Sequence, residues 1–241
     1  MHNFLVNGVE IPFDPEWNNI AISLSGGADS ALLAFLLCYH TKPITINCIS
    51  HTRMWKTRPW QSFDSKRVYD WLVDRFPEHT FVRHTNFIAP ELEYGNIGPT
   101  LTDEYGKLVS GDNIEIRAFA EYICSTYDCS AYYNAVTRNP KNVDFIGMKE
   151  RDIEESTDNQ HLRIMRHMGR YALHPFRFVQ KDWVVKQYIQ YDIVDLLDLT
   201  RSCEGEFEGL DYKTYTPGQY VPLCNVCFWC KERAWAIEQS K

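Results

Sequence analysis

The stretch from Ala21 to Tyr39, AISLSGGADSALLAFLLCY, sets a short loop of small and hydroxyl-bearing residues between two apolar runs. Ile20, Ile22 and Leu24 alternate into Gly26 and Gly27, after which Ala31 to Tyr39 is apolar all round. That order reads as a strand, a tight loop and a buried helix. Two glycines let the backbone come close to a phosphate, and Ser25 and Ser30 offer hydroxyl donors. A helix starting near Asp29 aims unpaired N–H groups at the same point. The loop is therefore an anion cradle, the plainer alternative being a glycine-rich turn with a helix cap. It has neither the Lys that precedes the closing Ser or Thr of a Walker loop nor the third Gly of a dinucleotide fingerprint.

Outward from this loop the chain alternates. PITINCIS, Pro43 to Ser50, is a second buried strand, and Ser62 to Phe76 carries Val68, Trp71, Leu72 and Phe76 at helical spacing. TFVRHTNF, Thr80 to Phe87, is a third strand, followed by a polar, Gly- and Pro-containing segment from Ala89 to Asn113, long enough for a lid over the sheet's edge. A helix capped by Asp112 or Asn113 buries Ile114, Phe119, Ile123 and Cys124, and SAYYNAV, Ser130 to Val136, is a fourth strand. The alternation predicts an α/β fold, a Rossmann-like parallel sheet with helices on both faces, whose ligands bind at the carboxyl ends of the strands.

A chain of 241 residues holds one sizeable core. The expected division is an α/β nucleotide-binding domain over 1–195 and a small cysteine-bearing segment over 196–241 packed on it. The net charge of −7 argues against a general backbone-reading nucleic-acid binder. No apolar run reaches the length of a membrane span, and the opening MHNFLVNGVEIPFDPEW lacks the order of a secretion signal, so a soluble, cytoplasmic protein is expected.

In a reducing compartment the eight cysteines are not presumptive disulfides. Cys203, Cys224, Cys227 and Cys230 supply four thiolates, the number a closed tetrahedral zinc site requires, leaving no position open for water. A redox-active or sulfur-carrying pair and an iron–sulfur cluster are the competing readings. Cys38, Cys124 and Cys129 read as core thiols.

The loop Ser23, Leu24, Ser25, Gly26, Gly27, Ala28, Asp29 and Ser30 resembles the signature of the PP-loop ATP pyrophosphatases, which split ATP between its α and β phosphates. The resemblance implies that this loop holds pyrophosphate and that Asp29 serves magnesium and phosphate. With Cys203 and the C-x-x-C-x-x-C run CNVCFWC, the chain is most similar to the 7-cyano-7-deazaguanine synthases, which make the nitrile precursor of queuosine. LTRSC, Leu199 to Cys203, is similar to that family's Leu-Thr-Trp-Ser-Cys, and Arg233 matches its Arg after the last cysteine. Lys181 in HPFRFVQKDWVVKQY falls at its Lys, and Asn113 at an Asn that begins a helix, whereas Asp112 stands where the family has Arg. SHTRMWKTRPW replaces the family's Tyr-Gly-Gln-Arg-His stretch, and NPKNVDFIGMKERDIEES does not show its Asp-Tyr-Ser-Gly-Tyr-Pro-Asp-Cys-Arg segment.

The resemblance implies ATP, magnesium and zinc as cofactors, a deazapurine carboxylate and ammonia as substrates, and a homodimer. Asp29 and Lys181 become the residues expected to carry the chemistry. His51, Arg53 and Trp55, with Asn113, are candidates for the substrate side, the alternative being a solvated basic loop with its tryptophans on the core. HLRIMRHMGR gathers His161, Arg163, Arg166, His167 and Arg170 on an expected helix, most simply a solvated face. Beside the ligase stand two other classes: a sulfurtransferase acting on a nucleobase or tRNA, and a non-catalytic nucleotide-binding protein.

Overall fold

The computed structural model describes residues 2–53, 59–88, 101–102, 108–109, 111–141, 143, 145, 162–165, 170–205 and 214–241. Six strands form the main sheet: β3 (Asn19–Ser23), β4 (Thr45–Arg53), β5 (Thr80–Ile88), β8 (Ala131–Tyr133), β9 (Leu162–Met165) and β10 (Arg170–Leu173). They lie in the order β5-β4-β3-β8-β10-β9, and every neighbouring pair is parallel except β10 with β9. A two-stranded piece, β6 (Leu101–Thr102) with β7 (Leu108–Val109), stands apart.

Alternation along the strands assigns the two faces. Ile20, Ile22, Ile46, Cys48, Ala131, Tyr133 and Leu173 pack on one side with α1 (Ala28–His40), α2 (Gln61–Arg75), α4 (Lys181–Gln190) and α5 (Val194–Leu199). Ala21, Ile49, Tyr132 and Ala172 face the other side, where α3 (Gly111–Thr126) brings Ala120, Ile123 and Cys124. The parallel sheet with helices on both faces is thus the architecture expected from the alternating pattern. Helix α1 is apolar all round because it is covered all round, with Ala31 to Leu37 essentially inaccessible. The last helix, α6 (Phe228–Glu238), buries Ala236 in the same core, and its Arg233 donates to the Leu197 carbonyl.

Two regions differ from the sequence reading. The first is an N-terminal hairpin, β1 (His2–Val6) with β2 (Val9–Phe13), closed by Asn7 and Gly8 at positive φ of 44° and 82°. This is the backbone that a two-residue hairpin turn demands. The hairpin covers one end of the core with Val6, Ile11 and Phe13, and Tyr133 donates to its Pro12 carbonyl at 2.5 Å.

The second is a correction: no helix spans the basic segment HLRIMRHMGR. Leu162–Met165 and Arg170–Leu173 are antiparallel strands in register, Arg170 opposite Met165 and Leu173 opposite Leu162. The alternation of LRIM and RYAL is a strand period, and pairing with β8 outweighs the helical spacing of the charges. His161, Arg166 and His167 lie outside the described residues, as does most of the Ala89 to Asn113 segment.

Candidate active site

From β3 the chain steps to β4 and β5 on one side, whereas β8 and β10 lie on the other. The carboxyl ends of β3 and β8 therefore mark the point where the winding reverses, which opens a crevice in sheets of this kind. The Ser23–Ser30 loop fills its floor. The cleft is lined by Ser23, Ser25, Gly27, Asp29 and Ser30 from the loop, by Asn134 to Thr137 after β8, and by Lys181, Arg201 and Ser202.

The loop is held by its own hydroxyls. Ser25 N–H donates to Ser30 Oγ at 3.1 Å, Ser30 Oγ donates to the Gly27 carbonyl at 3.1 Å, and the Ser25 and Ser30 hydroxyls meet at 3.0 Å. Gly27 is the extended N-cap of α1 and makes no side-chain cap bond, so the first-turn N–H groups remain directed at the cleft. Leu24 supplies backbone only: its side chain is in the core and its N–H donates to Ile49 O at 2.7 Å. Ala28 accepts at its carbonyl from the Tyr188 hydroxyl at 2.7 Å. Ser23 bonds the Tyr132 phenol, whose pKa burial pushes up to about 12.

Gly26 is required twice over. Its φ is +77°, and a Cβ there would lie 2.6 Å from Ser65 N and 2.8 Å from the Asp64 carbonyl carbon. The start of α2 therefore rests directly on the loop and brings Trp60, Gln61 and Asp64 into the cleft wall.

Asp29 and Lys181 are brought together. The Lys181 ammonium donates to Asp29 Oδ2, which also accepts from Thr137 Oγ1 at 3.3 Å. Lys181 is buried, not solvated, and its Nζ stands 3.9 Å from Oε2 of fully buried Glu232. Asp29 Oδ1 is buried with no hydrogen-bond partner among the described residues. An unclaimed carboxylate oxygen beside a loop of hydroxyl and N–H donors fits an oxygen-seeking magnesium ion.

On the opposite wall Asp64 faces Arg201, Oδ2 to Nε at 4.0 Å. Burial raises the Asp64 pKa to about 6, against the pull of Arg201 and Arg67. The Arg201 guanidinium lies 5.0 Å from the Trp60 ring centre and donates to the carbonyls of Val221 and, at 2.7 Å, Pro222.

Just beyond Arg201 and Ser202 is the sulfur cluster. The Sγ atoms of Cys203, Cys224, Cys227 and Cys230 lie within 4.8 Å of one another, and none of the eight cysteines is in a disulfide. A tetrahedral zinc with sulfurs at about 2.3 Å separates them by about 3.8 Å, and Cys224 and Cys230 stand at 3.9 Å. Backbone N–H groups of Gly205 and Cys224 donate to Cys203 Sγ at 3.4 Å, and that of Cys227 to Cys224 Sγ at 3.3 Å. Donors of this kind favour thiolates, as does the start of α6, where Cys227 is the N-cap. The Cys227 hydrogen bond lowers the Cys203 pKa and raises its own to about 12, while burial raises Cys230 to about 11. Gly205 is the cradle's tight point: a Cβ would sit 2.5 Å from Cys224 Sγ. The four cysteines can hold a metal ion.

Of the substrate-side candidates, the side chain of His51 is described. His51 is buried at the end of β4 with its ring edge-on to Phe119 at 6.2 Å, and is not among the lining residues. Arg53 ends β4 opposite Ile88, and Asn113 sits in the first turn of α3. Trp55 lies outside the described residues. Sequence reasoning assigned no role to Gln61, Asp64, Thr137, Glu204 or Trp229, all of which line the cleft. Thr137 follows the strand next to β3, so a strand order would have found it.

No protein-family model matches the chain, and no curated protein does. Among solved structures it is similar to the U34-tRNA thiolase NcsA from Methanococcus maripaludis with its 4Fe-4S cluster, at 14% identity and TM-score 0.44, covering 94% of this chain and 66% of that one. It is similar to a 4-thiouridine synthetase in complex with RNA and bound ATP, at 14% identity and TM-score 0.46, over 92% of this chain and 50% of that one. The NMN synthetase from Francisella tularensis gives 16% identity and TM-score 0.44, over 94% and 88%. The chain thus spans 66% and 50% of the length of the first two. Among the described residues no helix is long and apolar enough to cross a membrane.

Proposed function

We propose that the protein is a PP-loop ATP pyrophosphatase acting as an ATP-dependent ligase, which adenylates a carboxylate on a 7-deazaguanine-like base and aminates it with ammonia. The observation that carries this reading is the meeting of the Ser25–Ser30 cradle with Asp29 and Lys181 at the reversal point of the sheet. A carboxylate oxygen of the substrate attacks the α-phosphorus of ATP as the bond to pyrophosphate breaks. The leaving charge falls on the first-turn N–H groups of α1, the Ser25 and Ser30 hydroxyls and the Lys181 ammonium. Ammonia then attacks the acyl carbon, AMP departs with the bonding electrons and the nitrogen gives up a proton to solvent, leaving the amide. A second ATP adenylates the amide oxygen with release of pyrophosphate, and loss of AMP together with the two protons on nitrogen leaves the nitrile.

The protein's part is positioning and electrostatics. Asp29 would hold magnesium, which when bound neutralises charge on the phosphates. Cys203, Cys224, Cys227 and Cys230 would hold zinc in a closed site that staples the chain and activates no water.

The test mixes the protein with ATP, magnesium, ammonium and 7-carboxy-7-deazaguanine and follows nucleotide and deazapurine by mass spectrometry. AMP together with the amide or nitrile is the expected result. No carboxylate-dependent AMP from folded, metal-loaded protein would overturn the ligase reading.

A further inference from the structure

Two carboxylates flank one ammonium at the cleft floor, and they are not equivalent. Asp29, with 19% of its side chain exposed, lines the cleft; Glu232, with none exposed, stands behind Lys181 and is not among the lining residues of this cleft. We infer that Glu232 is a positioning residue for the nucleotide, a buried carboxylate that keeps the Lys181 ammonium at the cleft when Asp29 turns from the lysine to the ligand. The inference rests on the reading of the cleft as an ATP site.

The charge balance requires such a group. Lys181 is 3% exposed, so an ammonium that lost Asp29 with no second acid behind it would be a buried cation whose counter-charge came from the ligand alone. Glu232 Oε2 at 3.9 Å supplies that charge from the side away from the ligand. Asp29 is then free to offer both oxygens to what binds in the cleft, while Lys181 keeps a carboxylate partner and stays within reach of a phosphate.

Glu232 cannot follow the ligand, because its helix is pinned on both sides of it. Cys230 belongs to the sulfur cluster. Arg233 donates to the Thr200 carbonyl at 3.1 Å, to its hydroxyl at 2.7 Å and to the Leu197 carbonyl at 2.8 Å. One helix therefore ties the metal-binding cysteines to the charge state of the nucleotide cleft.

The experiment titrates ATP with magnesium into the full chain by calorimetry, for the wild type, Glu232→Gln, Glu232→Asp, Lys181→Met and the Lys181→Met, Glu232→Gln double variant, with metal content measured for each. Glu232→Gln should raise the ATP dissociation constant about tenfold or more at unchanged metal content, and Glu232→Asp, which keeps the charge, should recover most of that loss. In the Lys181→Met background the Gln substitution should change ATP affinity less than about twofold. A Glu232→Gln protein that binds ATP as the wild type does, or losses that add independently in the double variant, would overturn the inference while leaving the ATP site standing. No ATP binding by the wild type would overturn the functional reading, and this inference with it.

Discussion

The backbone N–H of Arg201 donates to the carbonyl of Gly26 across 2.8 Å, so the segment entering the sulfur cluster also braces the Ser23–Ser30 loop. Through its guanidinium the same residue holds the carbonyls of Val221 and Pro222 just ahead of Cys224. Stripping the metal should therefore be felt in the cleft. Chelation, or Cys227→Ser, is expected to lower the melting temperature by roughly 5 °C or more and to weaken ATP binding, measured by thermal unfolding and calorimetry. Elemental analysis should find about one zinc per chain; a stoichiometry of several irons with the visible absorption of a cluster would refute zinc.

Neighbouring glycines in the loop should behave differently. Gly26→Ala forces a side chain into positive φ and against the backbone of Asp64 and Ser65, and should cost about 3 kcal/mol together with ATP binding. Gly27→Ala meets the hydroxyls of Ser202 and Ser25 at 3.2 and 3.3 Å, side-chain atoms that can shift by the few tenths of an ångström needed, and the Arg201 carbonyl at an ordinary 3.8 Å, and should cost under about 1 kcal/mol. Denaturant unfolding of the pair decides it, and equal losses would contradict the packing described.

Gly205→Ala tests the sulfur cradle apart from its ligands. All four cysteines remain, yet the new methyl would occupy the space of Cys224 Sγ. The variant should purify with substoichiometric metal; full occupancy would show that the segment around Gly205 gives way without displacing a sulfur.

Asp64 makes a contribution of definite sign to the pH dependence of stability. Its pKa in the folded chain, about 6, lies above the 3.8 of the unfolded chain. Between these values the native state binds the extra proton, so this group's contribution is complete below the lower pKa and is lost as pH rises through about 6. Asp64→Asn should remove that slope and raise stability at pH 7 to 8 by up to about 3 kcal/mol. Chemical denaturation at pH 4, 6 and 8 reads it; a variant less stable than the wild type at pH 8 would mean that the Arg201 contact outweighs desolvation.

Local pattern made much of the fold legible. Ile20, Ile22 and Leu24 running into Gly26 and Gly27, and the apolar run from Ala31, specify strand, loop and helix within one short stretch. The four cysteines were equally readable, because their grouping is written in spacing. Asn7-Gly8 is a two-residue hairpin signal, and in HLRIMRHMGR the two-residue period of Leu162 and Ile164 competes with a helical spacing of the charges. What no spacing reports is pairing between distant elements. Asp64 with Arg201, and Lys181 with Asp29 and Glu232, meet only because strand order and helix packing bring their elements to one crevice.

The ion pair of Asp29 and Lys181 joins positions 152 apart in the chain, and its consequence extends to how the molecule folds. Closing so large a loop has an entropic cost that local contacts cannot offset, so the crevice completes itself only after the sheet has brought both halves together. A nucleotide that recognises this pair has nothing to bind in a partly folded chain. Its binding energy is then added wholly to the native state, by RT ln(1 + [L]/Kd), and occupancy of the cleft becomes a report that the whole chain has reached its final form.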